Sequence, residues 1–388
     1  MKSWSKPPVE KSPDLTEEAW MDQALDQARL GIGLASPNPT VGCVIVKDGQ
    51  LLGMGYHIYE NRDHAEIVAL RQAGLRSRGA TAFVTLEPCS HYGRTGPCAN
   101  ALITAGIARV VVATTDPNLD INGRGLAILQ AAGIEIKLGV RRIEAQRLND
   151  AFARFIRTGQ PLVTLKAGLS LDGRIAPAFG VAPLGDPYWI SGEESRAEVH
   201  RMRHAADAIL LGINSVLIDD PLLTDRSKLP RRRPLMRAIL DSQLRIPLDS
   251  RLVCSAAEDL VVFCTTRGSA DKQARVHERI QVLEDRGVHV VELGADAHVP
   301  LTGALNWFAS QKRTSVLLEG GSTIITQALR EDLVDKISLF YAPKILGGEA
   351  VPLLGDLTGH KVELQDVHVS RFGEDIRVQA LLRDPWKF

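Results

Sequence analysis

The 388-residue sequence predicts an α/β protein built as two units in series. Apolar strand-like runs and amphipathic helix-like runs alternate from residue 15 onward, the layering of an α/β fold. The alternation is broken at Gly159-Gln160-Pro161, and the 45% apolar content is ample for a core on each side of that break. The expected organisation is a mobile extension over residues 1–14, which holds three prolines and several charges, a first unit over 15–158 and a second over 159–388.

Residues 15–30 carry apolar side chains at helical spacing. VGCVIVKDGQLLGMGYH is a pair of strands turning at Asp48-Gly49, because an Asp-Gly pair accepts the positive φ angles of a tight hairpin. AEIVALRQAG is a helix, TAFVTLE a short strand, CANALITAG a helix, ARVVVATTD a strand, GRGLAILQAAG a helix and IEIKLG a strand. RRIEAQRLNDAFARFIRTG reads as one helix that Gly159-Gln160-Pro161 stops. In the second unit PLVTLKAGLSLDG, ADAILLG, MRAILDS, DLVVFCTT, VHVVEL, TSVLLEGG and KISLFYAPKILGG supply the strand-like runs of a separate α/β layer.

Composition narrows the function. The 46 basic and 46 acidic side chains leave no electropositive surplus for a phosphate backbone, so nucleic acid is not the expected partner. No apolar run reaches the roughly 18–20 residues of a membrane span, and MKSWSKPPVEKSPD lacks the apolar core of a signal peptide. A cytoplasmic protein with a small-molecule partner is expected, and a homo-oligomer. Five cysteines are too few, and odd in number, for a disulfide framework.

TLEPCSHYGRTGPC, residues 85–98, sets two Pro-Cys pairs in one loop, downstream of His64-Ala65-Glu66 at a predicted helix start. One imidazole and two thiolates, His64, Cys89 and Cys98, give three ligands and leave the fourth tetrahedral position of a zinc ion open to water, the arrangement of catalytic zinc. Glu66 then stands where it can carry a proton from that water to a leaving amine. Such a set suits hydrolytic deamination of an aromatic ring, as in zinc deaminases with H-x-E and P-C-x-x-C motifs. His57, at the end of the hairpin, and His91, inside the loop, are read as facing the substrate instead of the metal. Cys43, Cys254 and Cys264 fall in strand-like runs and are read as simply buried. The run Arg231 to Arg233 is read as an exposed loop.

Eight residues separate the two cysteines, where the usual deaminase motif has two. With NPTVG at 38–42 and HAE at 64–66, that loop resembles the bifunctional riboflavin-biosynthesis deaminase/reductase family. KAGLSLDGRIA (166–176), WISGEESRAEVHRMR (189–203), GINSVLIDDPLLTDR (212–226), LDSQLRIP (240–247), LLEGGSTI (317–324) and APKILGG (342–348) resemble the reductase half of that family, so the similarity runs from about residue 15 to 385. The resemblance implies a cytidine-deaminase-like α/β/α sandwich with zinc, followed by a dihydrofolate-reductase-like α/β domain that uses NADPH. It also implies deamination of a diaminopyrimidine ribosyl phosphate, followed by reduction of its ribosyl side chain.

Carried over by motif, Gly168, Trp189, Ser215, Asp219, Ser242 and the segment Gly321, Ser322, Thr323, Ile324, Ile325, Thr326 and Gln327 fall on the cofactor side. Arg203, Leu223, Arg226 and Glu319 fall on the substrate side of the reductase, with Lys166 placed to bind or polarise the sugar, while Asn38, His57, His91 and Asn118 face the substrate of the deaminase. Residue logic supports the cofactor segment: Ser322 opens a helix straight after a strand and Gly320-Gly321, so bare N–H groups and the positive helix end face an anion such as a pyrophosphate. The sequence departs from the family at PAFGVAPLGDPY (177–188), which is longer than usual and has Pro187 where a substrate-touching serine is common. LDINGRG, after Asn118, departs modestly. A nucleic-acid deaminase would share the zinc centre but explains neither the long insertion, the neutral charge nor residues 161–388. A structural zinc module would want four protein ligands.

Overall fold

The computed structural model describes residues 16–91, 96–178, 180–181, 188–266 and 270–387. The expectations for the extension over 1–14 and for Pro187 lie outside the described residues. The chain divides into two compact units, one ending at Asn149 and the other beginning at Asp150.

The first unit runs α1 (Glu17–Leu30), β1 (Gly42–Lys47), β2 (Gln50–Tyr56), α2 (Ala65–Ala73), β3 (Thr81–Val84), α3 (Cys98–Thr104), β4 (Arg109–Val112), α4 (Arg124–Ala131), β5 (Glu135–Leu138) and α5 (Arg142–Leu148). Its five strands lie in the order β2-β1-β3-β4-β5, antiparallel through β3 and parallel from β3 to β5. The β1–β2 turn sits at Asp48 and Gly49, both at positive φ, as the sequence predicts. Alternation along each strand feeds two apolar layers. Cys43, Ile45, Ala82, Val84, Val110 and Val112 enter one, and Val44, Val46, Phe83 and Val111 the other. A sheet covered on both faces needs such runs of small apolar residues.

Two glycines set how closely α2 approaches. A Cβ on Gly53 would sit 2.2 Å from the Ala69 carbonyl oxygen, and one on Gly55 2.6 Å from that of Ala65. The helix therefore rests on bare β2 backbone, and its first turn is fixed in height above the sheet. The residue before that turn is His64.

The predicted single helix over 141–159 is two. It breaks at Asn149, whose side chain accepts from Thr40 N–H at 2.7 Å and donates to Thr40 C=O at 3.0 Å. That pairing competes with helix continuation. The second piece, α6 (Asp150–Thr158), belongs to the second unit, where Asp150 accepts from Lys336 Nζ at 3.3 Å and Trp386 Nε1 at 3.1 Å.

The second unit continues with β6 (Leu162–Ser170), β7 (Arg174–Ala176), α7 (Glu193–Ala205), β8 (Ala208–Gly212), α8 (Ile213–Asp219), β9 (Met236–Leu240), α9 (Arg251–Cys254), β10 (Leu260–Cys264), α10 (Ala270–Glu284), β11 (Val288–Glu292), α11 (Leu301–Ser310), β12 (Ser315–Leu318), α12 (Ser322–Arg330), β13 (Lys336–Ala342), β14 (Val351–Pro352), β15 (Gln365–Phe372) and β16 (Asp375–Leu381). Nine strands form one sheet, β11-β10-β9-β8-β12-β6-β13-β16-β15, parallel from β11 to β13 and antiparallel beyond. β8 is wholly buried, with Ala208 and Leu210 in one apolar layer and Ile209 and Leu211 in the other. Parallel strands ending at one edge of such a sheet leave their C-terminal loops to build a binding crevice.

None of the five cysteines is paired. Cys43 and Cys264 are buried in strands as expected, but Cys254 is exposed at the end of the short helix α9. No helix among the described residues is long and apolar enough to cross a membrane.

Replacing Gly55 by Ala tests the α2–β2 approach. In an open strand, Ala is favoured over Gly by about 0.5–1 kcal/mol, whereas an added methyl in a filled contact costs about 1–3 kcal/mol. The expected outcome for Gly55→Ala is a lower denaturant midpoint for the first unit; an unchanged or raised midpoint contradicts the close approach.

Candidate active sites

The three expected metal ligands reach one point from separate segments. His64 is the residue on which α2 starts, Cys98 is the first residue of α3, and Cys89 lies in the loop after β3. His64 Nδ1 is 3.2 Å from Cys98 Sγ and 3.5 Å from Cys89 Sγ, and the three ligand atoms lie within 4.8 Å of one another. Tetrahedral zinc, with about 2.0 Å to nitrogen and about 2.3 Å to sulfur, needs an N-to-S separation of roughly 3.5 Å, so the trio fits that ion. It is the one such cluster among the described residues. Cys89 Sγ accepts the Cys98 N–H at 3.3 Å, at the α3 start. The Cys98 thiol and His64 hold the Cys89 thiol well below its ordinary range, while the same contact and burial push Cys98 up.

Glu66 sits in the first turn of α2 and is 3% exposed. Burial pushes its carboxyl up to about 7, with the His64 imidazolium pulling the other way. A carboxyl in that range can both take and return a proton near neutrality. His57 is buried and stands edge-on to His64, with ring centroids 5.3 Å apart. Its Nδ1 donates to the Asp63 carbonyl at 2.9 Å, which leaves Nε2 to accept from Asn38 Nδ2 at 3.0 Å. Asn38 and His57 thus form one wall beside the trio. His91 is exposed on the loop. Asn118 is half-buried in the β4–α4 connection, where its N–H donates to Asp116 Oδ1 at 2.8 Å.

Ser215 and Asp219, Ser242, and Glu319 with the segment from Gly321 follow the C-terminal ends of β8, β9 and β12, and Lys166 and Gly168 lie on β6. Lys166 and Gly168 face the same side of β6, and a Cβ on Gly168 would meet Ser191 Oγ at 3.6 Å. Arg203 clamps Glu319 with Nε to Oε1 at 2.8 Å and Nη2 to Oε2 at 2.9 Å, and Lys166 Nζ approaches Oε2 at 3.4 Å. Arg203 Nη1 donates to the Thr224 carbonyl at 3.3 Å. Despite burial, the two cations hold Glu319 down at about 2. Leu223 is buried at φ 54°, and Arg226 is exposed, reaching Thr224 Oγ1 at 3.4 Å.

Ser215 and Asp219 lie on α8, directly after β8, and Ser242 lies just beyond β9. Trp189 is 58% exposed, with the Arg196 guanidinium 5.0 Å from its ring. Of the segment after β12, Gly321, Ser322 and Thr323 form the open start of α12. Ile324 fills the space above Gly212 and Gly320, and Ile325 is fully buried. Thr326 donates to the Ser322 carbonyl at 2.7 Å and accepts from Gly355 N–H at 2.7 Å, and Gln327 pairs with Glu331 at 2.8 Å. Three bare backbone positions on a positive helix end fit a pyrophosphate.

The sequence reading misses several residues. Arg231 is not in an exposed loop: it donates to the carbonyls of Arg203, His204 and Ala206 at 2.8, 2.9 and 2.8 Å, closing the C-terminus of α7, and Arg233 reaches Asp207 at 3.2 Å. Glu87 accepts four backbone N–H groups, those of Asp116 and Gly123 in the β4–α4 connection and those of Gly125 and Leu126 in the first turn of α4. Asp172 accepts from the N–H groups of Leu346 and Gly347 at 3.1 and 2.8 Å, tying the β6–β7 turn to the loop after β13. Arg245 donates to Asn214 Oδ1 at 3.1 Å, in the first turn of α8 that also carries Ser215.

Fold and sites together define a two-unit α/β enzyme, a zinc-dependent deaminase joined to a reductase. Residues 15–114 match the cytidine and deoxycytidylate deaminase zinc-binding region, and residues 161–378 match the RibD C-terminal domain. The riboflavin biosynthesis protein RibD of Aquifex aeolicus is 38% identical over 93% of this chain and 97% of its own length; that of Escherichia coli is 40% identical over 87% and 90%. The solved structure of Acinetobacter baumannii RibD, form 1, is 37% identical, covers 94% of this chain and 98% of its own, and superposes with a TM-score of 0.79. A Thermotoga maritima structure, titled a diaminohydroxyphosphoribosylaminopyrimidine deaminase/5-amino-6-(5-phosphoribosylamino)uracil reductase, is 32% identical over 94% and 98%, with a TM-score of 0.76. The chain belongs to the RibD family of riboflavin-biosynthesis proteins.

Two outcomes follow from this geometry. Purified protein is expected to hold about one zinc per chain, and Cys89→Ala combined with Cys98→Ala to abolish it; stoichiometric metal surviving in the double variant contradicts the site. Glu319 has its folded pKa lowered from 4.5 to about 2, so its contribution to stability is complete above 4.5 and is lost as pH falls toward 2. The gap in denaturant midpoint between wild type and Glu319→Gln should therefore hold above that window and shrink through it. A gap that does not change with pH contradicts the ionised triad.

Proposed function

We infer that this chain catalyses two steps of riboflavin formation. The first is hydrolytic deamination of 2,5-diamino-6-ribosylamino-4(3H)-pyrimidinone 5′-phosphate, and the second is NADPH-dependent reduction of the ribosyl side chain to ribityl. The observation that carries the first step is buried Glu66, beside three ligands that leave a fourth position open. His64, Cys89 and Cys98 would hold a zinc ion there, which when bound would supply a water of pKa lowered toward about 7. Glu66 stands where it would accept a proton from such a water and return it to the departing amine, which would leave as neutral ammonia. Asn38, His57, His91 and Asn118 line the pyrimidine's site, with the His57 tautomer fixed by Asp63 and Asn38.

In the reductase unit, Gly321, Ser322 and Thr323 present backbone N–H groups to the cofactor pyrophosphate. Gly168, Trp189, Ser215, Asp219, Ser242 and the remainder of the segment to Gln327 complete that side, and Arg203, Leu223, Arg226, Glu319 and Lys166 the substrate side. Arg203 acts there largely through Glu319, whereas Arg226 has the exposed guanidinium suited to a phosphate monoester. Lys166 brings its ammonium to the sugar from β6. The protein is proposed to work in the cytoplasm as a homo-oligomer on a small-molecule substrate, without nucleic acid or membrane.

Glu66→Gln separates the two activities. The amide neither accepts nor delivers the proton, so ammonia release should fall by about 10²–10⁴ with zinc retained. NADPH oxidation on substrate deaminated beforehand should stay at the wild-type rate. Full ammonia release would assign the base elsewhere. Loss of NADPH oxidation in a folded variant would replace the two-site reading with a coupled one.

A further inference from the structure

We propose that Glu87 is a positioning residue for deamination, holding the loop that carries Asn118 at a fixed distance from the metal ligand Cys89; the inference rests on the deaminase reading above. Glu87 is 5% exposed and, through Pro88, is the second residue before Cys89. Its Oε2 accepts from the N–H groups of Asp116 at 3.2 Å and Gly123 at 2.9 Å, and its Oε1 from those of Gly125 at 2.9 Å and Leu126 at 3.4 Å. One buried carboxylate therefore grips both ends of a connection whose middle is Asn118. A carboxylate surrounded by four donors is the one side chain of this shape that offers no competing donor.

The grip also supplies what α4 lacks. That helix starts on Gly123, at φ 78° with no side-chain cap and no acidic residue in its first turn. Glu87 provides the cap from another strand end, and places its negative charge at the positive helix terminus. The backbone contact is close as well: a Cβ on Gly125 would lie 2.0 Å from the Pro88 carbonyl oxygen. Within the loop, Asp116 Oδ1 accepts Asn118 N–H at 2.8 Å, and Asn122 Nδ2 donates to the Asp116 carbonyl at 2.7 Å. The chain of contacts runs from Cys89 through Pro88 and Glu87 to Asp116 and Asn118, without a long flexible side chain beyond Glu87. Asn118 thereby keeps its height relative to the ligand trio.

Glu87→Gln tests this. The substituted side chain has one NH₂ end, which must face either the Asp116 and Gly123 donors or the Gly125 and Leu126 donors. The loop then shifts while the three ligands remain. Outer partners of metal ligands typically change activity by about 10- to 100-fold, and here the change should appear as a higher KM for deamination. Zinc content and the NADPH oxidation of pre-deaminated substrate should match wild type. A double-mutant cycle separates positioning from general support. If Glu87 acts through Asn118, the KM effect of Glu87→Gln largely disappears in an Asn118→Ala background. Additive effects, an unchanged KM in Glu87→Gln, or an Asn118→Ala variant with wild-type KM each overturn the proposal. Should Glu87→Gln not fold, Asn122→Ala loosens the same loop from its other side and must raise KM in the same Asn118-dependent way. Absence of ammonia release by the wild-type protein would instead sink the deaminase reading itself.

Discussion

Two helices begin at the same point in the first unit, and the deaminase site follows from that constraint. α2 starts on His64 and α3 on Cys98, so both positive helix ends face the place where Cys89 Sγ receives the Cys98 N–H. The bare glycines of β2 fix the height of α2, and with it His64 and Glu66. Only the Cys89 thiol is held low there, chiefly by Cys98, and a divalent ion would be held by His64 Nδ1 and the two sulfurs that lie within 3.5 Å of it. The carboxyl that must move a proton is in the same first turn, dry enough to be raised to about 7 before any metal charge acts on it.

The second unit handles charge in the opposite way. Glu319 is buried between Arg203 and Lys166 and stays ionised because both cations reach it. Removing one partner of such a group leaves a buried charge, which costs far more than the intact pair contributes. The triad lies at the strand ends where Gly168 and the start of α12 also open, so rigidity is placed beside the expected substrate. Asp172 does similar work at the β6–β7 turn, where it is held down at about 2 chiefly by the Ser170 hydroxyl and by the N–H groups of Leu346 and Gly347.

How legible the molecule is depends on how local each cause is. The Asp48-Gly49 turn and the Ser322 helix start are written in adjacent residues, and His64, Cys89 and Cys98 are legible across 34 positions because His-Ala-Glu and the two Pro-Cys pairs each carry a recognisable chemistry; the structure brings those three side chains together. The break at Asn149 is not local, because its partner Thr40 lies 109 positions away. Glu87 is silent in the sequence for the same reason, since its four donors sit 29 to 39 positions downstream. Arg231 looks solvated within a triple-arginine run, yet the carbonyl ends of α7 claim it. The β15–β16 hairpin is weakly signalled because β15, QDVHVSRF, is an edge strand with no buried residue, so its apolar alternation is confined to Val367 and Val369. Which roles the reductase residues play is legible only through resemblance, because Gly168, Ser215 and Ser242 have no chemistry that marks them.

The deaminase chemistry depends on an open zinc site, with three protein ligands and one position left for water. X-ray absorption at the zinc edge of the purified protein measures it directly. The expected spectrum is four-coordinate, with two sulfurs at about 2.3 Å, one imidazole nitrogen at about 2.0 Å and one further light atom. That light atom should exchange for a competing small anion. A spectrum with a third sulfur or a second imidazole, closed to such exchange, would make the site structural and contradict the mechanism built on Glu66.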